Sequence, residues 1–305
     1  MKKSSKVTAV ILSAILAMSM IGCGSSAEDT ASDAAATDAV TDEATDAAAS
    51  DEATDAADEA TDAADETAAG DRTQLIVGFD AEYPPYGYMD ENGEYVGFDL
   101  DLAQEVCDRN GWELVKQPID WDAKDMELNS GSIDCIWNGF TMDGREDDYA
   151  WSDPYVDNSQ VIVTSADSGI TKLSDLSGKT VGVQAASAAL SVLSDEEQQK
   201  ALADTFGKLQ EFADYNTAFA ELEAGSVDAI AMDIGVAQYQ IDSRNNGSFI
   251  ILDEHLNSEQ YGIGFALNNT DLRDTVNKDL HTLKENGTFD ELAEKYGLTD
   301  MVCLD

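Results

Sequence analysis

Two segments far apart in the chain follow one plan: MELNSGSIDCIWNG, ending at Gly139, and AELEAGSVDAIAMD, ending at Asp233. Each runs from helix-forming residues through a Gly-Ser break and an acidic residue into a mainly apolar stretch. A strand that follows a helix directly, and is apolar along most of its length, is covered on both faces, as in a parallel sheet. Helix, break and buried strand form the unit of an α/β domain, so its recurrence predicts two similarly built lobes.

The surrounding sequence supports that plan. TQLIVGFD is a short apolar strand ending at Asp80, followed by the loop Tyr83-Pro84-Pro85-Tyr86. Asp90-Glu91-Asn92-Gly93 between aromatic-bearing segments predicts a hairpin turn. Phe98, Leu102 and Val106, four apart, predict a helix that ends at Gly111. WELVKQPI is a strand and Trp121 to Ser130 a helix. KTVGVQAAS restarts the pattern at Lys179, with a helix over Ala188 to Leu193. YGIGFAL is a further strand, and Asp271 to Tyr296 holds two helices parted at Asn286-Gly287. DENGEYVGFDLD is only faintly like a calcium loop, with its glycine fourth where such a loop needs it sixth, so no metal is expected.

What precedes Thr73 is of another kind. Met1 to Cys23 has three lysines, an apolar run from Val7 to Ile21 and small residues before a cysteine, the layout of a secretory signal. The apolar run is short of the ~20 residues of a membrane span. Gly22-Cys23 resembles a bacterial lipobox, which implies lipidation of Cys23; an ordinary secreted protein or an uncleaved anchor is the alternative. Residues 24–72 are almost all Ala, Asp, Glu, Thr and Ser, with 16 acids from Glu28 to Asp71 and no base. A segment so poor in apolar residues cannot offset chain entropy, and is expected to be a disordered, self-repelling linker. Setting aside its −16 and the leader's +3 from the total of −45 leaves −32 for the rest, which argues against nucleic acid or anionic lipid as a partner. Beyond Cys23 there are Cys107, Cys135 and Cys303, with no C-x-x-C, so neither a zinc cluster nor a disulfide framework is indicated. Cys107 and Cys135 can pair only if a helix and a strand bring them together.

GEYVGFDLDLAQEV, GSIDCIWNGFTMDGRED, WSDPY, KLSDLSGKTVGVQ, AGSVDAIAMD, QYGIGFALNN and LRDTVNKDLHTLKENGTFDELAEKYG occur in this order, and together the chain resembles the extracellular amino-acid-binding proteins of ABC importers, solute-binding protein family 3. The resemblance spans essentially Thr73 to Gly297. It implies a two-lobed, periplasmic-binding-protein-like type II α/β fold, each lobe a mostly parallel sheet flanked by helices, with two hinge crossovers. Lobe 1 would be 73–158 with 260–305, and lobe 2 would be 159–259. It further implies a monomer on the outer face of the cell membrane, anchored through Cys23. That monomer would take a free amino acid, polar or basic, to a membrane permease by hinge closure, with no cofactor. A same-fold enzyme of the cyclohexadienyl dehydratase kind, and a ligand-sensing component of a signalling receptor, are the alternatives.

The resemblance also gives residues roles. An α-amino acid presents a carboxylate and an ammonium at fixed separation. Arg145 would hold the carboxylate, since a guanidinium meets it through two parallel hydrogen bonds. Thr141 would add its hydroxyl or amide, Gly139 would offer its carbonyl to the ammonium, and the amides of Ser187 and Ala188 lie at a predicted helix start, a natural anion site. Asp233 would be the ammonium's counter-charge. Asp80, Tyr83 and Trp121 would flank the ligand side chain, with Gln184, Tyr86, Asn138 and Met232 as further lining. A carboxylate at Asp80 beside Glu82 favours a cationic or strongly polar ligand, and two aromatic faces suit a cation. Plainer readings stand beside these. Arg145 equally reads as a salt-bridge partner in an acidic loop, Asp233 and Ser187 as helix caps, Tyr83 and Trp121 as core aromatics, and Asp80 as a turn residue. Thr141 and Arg145 stand four apart where the family often has five, which makes the loop between them the point of departure.

Overall fold

The computed structural model describes residues 72–244 and 247–305; the leader, Cys23 and the linker, with the expectations attached to them, lie outside these residues. Eight strands form the main path of one sheet: β1 (Gln74–Phe79), β2 (Glu113–Pro118), β3 (Cys135–Thr141), β4 (Val156–Ser165), β5 (Thr180–Gln184), β6 (Lys208–Phe212), β7 (Ala229–Asp233) and β8 (Asn257–Phe265). Their order is β6-β5-β7-β4-β8-β3-β1-β2, with the short strands Ala150–Trp151 and Phe249–Ile251 added beside β8 and β4. At one end β1 pairs in parallel with β2 and β3; at the other β5 pairs in parallel with β6 and β7. Each end is thus a helix-connected parallel sheet, as the repeated helix–break–strand plan requires. The helices Lys124–Asn129 and Tyr215–Glu223 stand before β3 and β7 respectively.

The centre differs from the ends. β4 and β8 are antiparallel to each other from Asn257↔Gln160 to Tyr261↔Val156. Beyond Gln160 β4 changes partner to β7, and from Tyr261 β8 changes partner to β3, both antiparallel. The two halves are therefore joined by two strands that each begin in one and end in the other. The pairing of β3 with β8 slips between Gly262 and Gly264, so Trp137–Gly139 fall out of register just where β3 reaches the middle of the molecule. A slip of this kind re-aims backbone and side chains.

Buried apolar groups form a large cluster around β1, β3 and β8 with helices Phe98–Asn110 and Thr270–Asn286, and a second around β5 and β7. The expected hairpin is present, Gly87–Met89 with Tyr95–Val96, closed by the Asp90 carboxylate accepting from the amides of Asn92 and Glu94. Helix Phe98–Asn110 ends at Gly111 as predicted. The segment from Trp121 begins as a single 3-10 turn before becoming an α-helix at Lys124. Cys107 and Cys135 are buried, and both are free thiols. Among the described residues no helix is long and apolar enough to cross a membrane, and no group of acidic, His and Cys side chains forms a metal site.

Candidate functional site

Sequence positions far apart meet where β3, β5 and β7 end. The first wall is the stretch from β3 to Arg145. Gly139 has φ +55, a left-handed conformation, and donates its amide to Asp99 Oδ2 at 2.6 Å. A Cβ there would stand 3.0 Å from Tyr261, 3.1 Å from Tyr83 and 3.2 Å from Tyr86. Gly139→Ala should therefore cost about 2 kcal/mol, from the φ penalty and from crowding among rings. An unchanged urea midpoint would show the backbone there to be less constrained than its φ implies.

Past Thr141 the chain turns sharply. Arg145 donates its amide to Met142 O at 2.9 Å with Gly144 at φ +76, and Trp151 Nε1 donates to Arg145 O at 2.9 Å. The four-residue spacing folds the guanidinium back, so that NH1 donates to Thr141 O at 3.0 Å and the group lies 5.2 Å from the Phe140 ring centre. Asp143, Glu146, Asp147 and Asp148 surround it in sequence. Yet among the described residues no carboxylate comes within ion-pair distance of Arg145. The salt-bridge reading of this arginine fails on that geometry: its one side-chain hydrogen bond goes to a backbone carbonyl, which leaves the rest of the guanidinium without an anionic partner among the described residues.

The opposite wall comes from β5 and β7. Asp233, last residue of β7, is buried, and its Oδ1 accepts from Asn158 Nδ2 (2.8 Å), Gln160 Nε2 (2.6 Å) and the Tyr261 hydroxyl (2.6 Å). Burial raises its pKa, against the lowering effect of these donors and of the Tyr83 hydroxyl. Ser187 caps helix Ala188–Ser194 with its hydroxyl, which accepts from Leu190 N and donates to Gln184 O at 2.7 Å. The cap reading thus accounts for the Ser187 side chain, while Ala188 begins the helix, where first-turn amides lack intrahelical partners.

Between the walls lies a pocket bordered by Tyr83, Trp121, Gly139, Thr141, Arg145 and, across from them, Gln184, Ser187, Ala188 and Asp233. Nine of the ten sequence-selected ligand positions are brought together there. Asn138 borders it too; its Oδ1 accepts from Asp80 N at 2.9 Å, while its buried Nδ2 has no partner. An unsatisfied buried donor costs about 1–3 kcal/mol, which a ligand acceptor would relieve. The cavity between the walls is about 10 Å³, too small for an amino acid, so binding one there would require the walls to part.

Asp80, the tenth position, lies next door. Beyond Trp121 the cleft widens to about 630 Å³, bordered by Asp80, Glu82, Asp120, Asp122, Glu127 and Asp214 with no basic residue. Asp80 Oδ1 accepts from Glu82 N (2.8 Å) and Oδ2 from Gln184 Nε2 (2.7 Å). Burial, with Asp214 and Glu82 adding repulsion, raises its pKa from 3.8 to about 6. Glu82 also accepts from Asn216. Tyr86 and Met232 are buried in the core.

One residue escaped the sequence reading. Glu259 on β8 is buried, and its Oε1 accepts from Thr141 Oγ1 (2.8 Å), Asn158 Nδ2 (2.7 Å) and Gln160 Nε2 (2.7 Å). The Thr141 hydroxyl, expected to serve a ligand carboxylate, is committed to Glu259 instead. The available signal was the period of two along β8, which puts Glu259 on the same inward face as Tyr261 and Ile263.

Comparison with known proteins agrees in kind with this geometry. The family described as bacterial extracellular solute-binding proteins, family 3, matches residues 75–299. The arginine-binding extracellular protein ArtP of Bacillus subtilis is 31% identical over 228 residues, covering 74% of this chain and 86% of that protein. An ABC uptake transporter substrate-binding protein from Streptococcus pneumoniae, solved with bound histidine, superimposes with a TM-score of 0.70 at 32% identity, covering 73% of this chain and 92% of that one. An ancestral arginine-binding protein bound to arginine gives 0.67 at 38% identity, covering 74% and 98%.

Proposed function

This chain belongs to the bacterial extracellular solute-binding proteins, family 3, and from that premise we propose that it is an extracellular receptor for a free L-amino acid with a cationic side chain. It would hand its ligand to an ABC importer permease after hinge closure about β4 and β8. The observation that carries this reading is the unpaired Arg145 facing the buried Asp233 across one pocket. A guanidinium fork and a carboxylate on opposite walls match the two charges every α-amino acid carries. Because the walls belong to different halves of the sheet, the same ligand that satisfies both also draws them together, which is how binding becomes a shape change.

The side-chain preference rests on the acidic cleft past Trp121. Six carboxylates with no base set a negative potential that attracts a cationic side chain and repels an acidic one. ArtP is named for arginine and the pneumococcal protein was solved with histidine, in line with this preference. The lobe limits 73–158 with 260–305 and 159–259, the lipid anchor at Cys23 and the permease as partner are part of the same proposal.

A thermal-shift screen of the twenty amino acids with ornithine, citrulline and cystine should give a large stabilisation by arginine, lysine, ornithine or histidine, since a ligand that binds only the folded state raises its stability. Absence of any shift would sink the receptor reading. Asp80→Asn should weaken cationic ligands by about tenfold while leaving the affinity ranking of neutral ones intact. Equal losses for both classes would show that Asp80 supports the fold and not the side-chain end.

A further inference from the structure

We propose that Asp233 and Glu259 hold a single proton between them while the site is free of ligand, and that the ammonium of a bound amino acid takes that proton's place. Glu259 thereby becomes a positioning residue of the ammonium site. This rests on the receptor reading above.

The geometry is unusual in its sharing. Asn158 Nδ2 donates to Asp233 Oδ1 and to Glu259 Oε1, at 2.8 and 2.7 Å. Gln160 Nε2 does the same, at 2.6 and 2.7 Å. All four N–H bonds of these two amide groups are thus divided between two carboxylates, which sit within two hydrogen-bond lengths of each other.

The groups facing the pair from every side are neutral donors or further anions. Tyr261 and Tyr83 face Asp233; Thr141 and Asn257 face Glu259; Tyr86 and Tyr215 lie close to both, with Asp99 beyond Tyr86 and Asp80 beyond Tyr215. Arg145 borders the same pocket, but among the described residues no cation pairs with either carboxylate. Two anions this close in a buried site do not both ionise readily, so one keeps its proton and the pair titrates as a unit. Burial raises both groups, and the charge of Asp233 raises Glu259 further.

A second observation points the same way. Asn158 Oδ1 and Gln160 Oε1 are buried acceptors without a donor. A carboxyl O–H can supply a hydrogen to such an acceptor where either amide turns to meet it, in exchange for the N–H bonds that amide now gives; the hydroxyls of Tyr86 and Tyr215, also without partners, are further donors close by.

On binding, the shared O–H bond breaks and its proton passes to solvent. The ligand ammonium then donates N–H to the freed carboxylate, so positive charge in the cluster is exchanged and not added. Wherever the free pair keeps its proton, affinity rises with pH, by up to about tenfold per pH unit.

Calorimetry of L-arginine binding to the full chain, in buffers of different ionisation enthalpy at one pH, counts the protons released. The expected result is that Glu259→Gln releases about one proton fewer than wild type, and that its affinity depends less steeply on pH. Asp80→Asn, measured beside it, removes the separate contribution of Asp80. Equal release from wild type and Glu259→Gln overturns the proposal. If L-arginine fails to bind, that counts against the receptor reading. The shared proton is then judged by carboxyl carbon-13 titration of the ligand-free protein. One member of the pair should titrate well above the usual carboxylate range, and ionisation of both below pH 5 overturns the inference.

Discussion

Arg145→Ala should weaken every amino acid the protein takes by about 3 kcal/mol, on the order of a hundredfold in Kd. On the proposed function a uniform loss is expected, because the guanidinium would address the α-carboxylate that all such ligands share, whereas the acidic cleft past Trp121 would address what distinguishes them. Arg145→Lys keeps the charge and loses the planar fork, so an intermediate loss is expected. Stability should fall by about 1 kcal/mol or less, because the side chain contributes one hydrogen bond to Thr141 O, a contact with the Phe140 ring and no ion pair among the described residues. Titration calorimetry on both variants decides the matter: full affinity in Arg145→Ala would remove the carboxylate fork from the site.

Acid should stabilise the ligand-free protein. Asp99 is fully buried under Gly139 and Tyr155, and burial raises its pKa from 3.8 to about 7, against the lowering effect of its two donors. Asp80, at about 6, and the pair Asp233 and Glu259 move in the same direction. Between the ordinary carboxylate range and these raised values, the folded chain holds protons that the unfolded chain has released. Stability therefore falls as pH rises from about 4 to about 7, the reverse of the usual salt-bridged carboxylate. A proton held only by the folded chain costs about 1.4 kcal/mol of stability for each pH unit climbed, so Asp99 alone accounts for a loss of about 3 kcal/mol between pH 5 and pH 8. The melting temperature should drop by several degrees over that interval, and Asp99→Asn should flatten the curve. A melting temperature that climbs from pH 5 to pH 8 would contradict the burial of these groups.

The ends of the sheet were legible because their physics is local. Cys135–Thr141 and Ala229–Asp233 are apolar and follow helices with clear stops, so pattern and outcome coincide. The centre was legible only in part: YGIGFAL was read as a strand and is the second half of Asn257–Phe265, but Val156–Ser165 and the first half of Asn257–Phe265 carry Asn158, Gln160 and Glu259 inward, and polar residues at buried strand positions read as loop until their partners are known. Those partners are far away in sequence, Thr141 and Asp233 among them, so no window of residues contains the reason for their burial. The same holds for the site. Arg145 and Asp233 stood out as a lone cation and a strand-ending acid, but the commitment of the Thr141 hydroxyl to Glu259 depends on a contact across 118 positions. Helix Ile234–Arg244, which follows Asp233 directly, and strand Lys208–Phe212 were also missed; the strand is an edge with half-buried residues and a weak alternation.

Trp121 has an optical consequence. Trp112, Trp137 and Trp151 are buried, whereas Trp121 is half-exposed and borders both the pocket and the acidic cleft. On the proposed function its indole would be the tryptophan beside the ligand, while Trp151, bonded through Nε1 to Arg145 O, would respond only through that loop. Steady-state emission would then serve as a reagent-free gauge of occupancy, and stopped-flow emission as a clock for the proposed parting and meeting of the two walls.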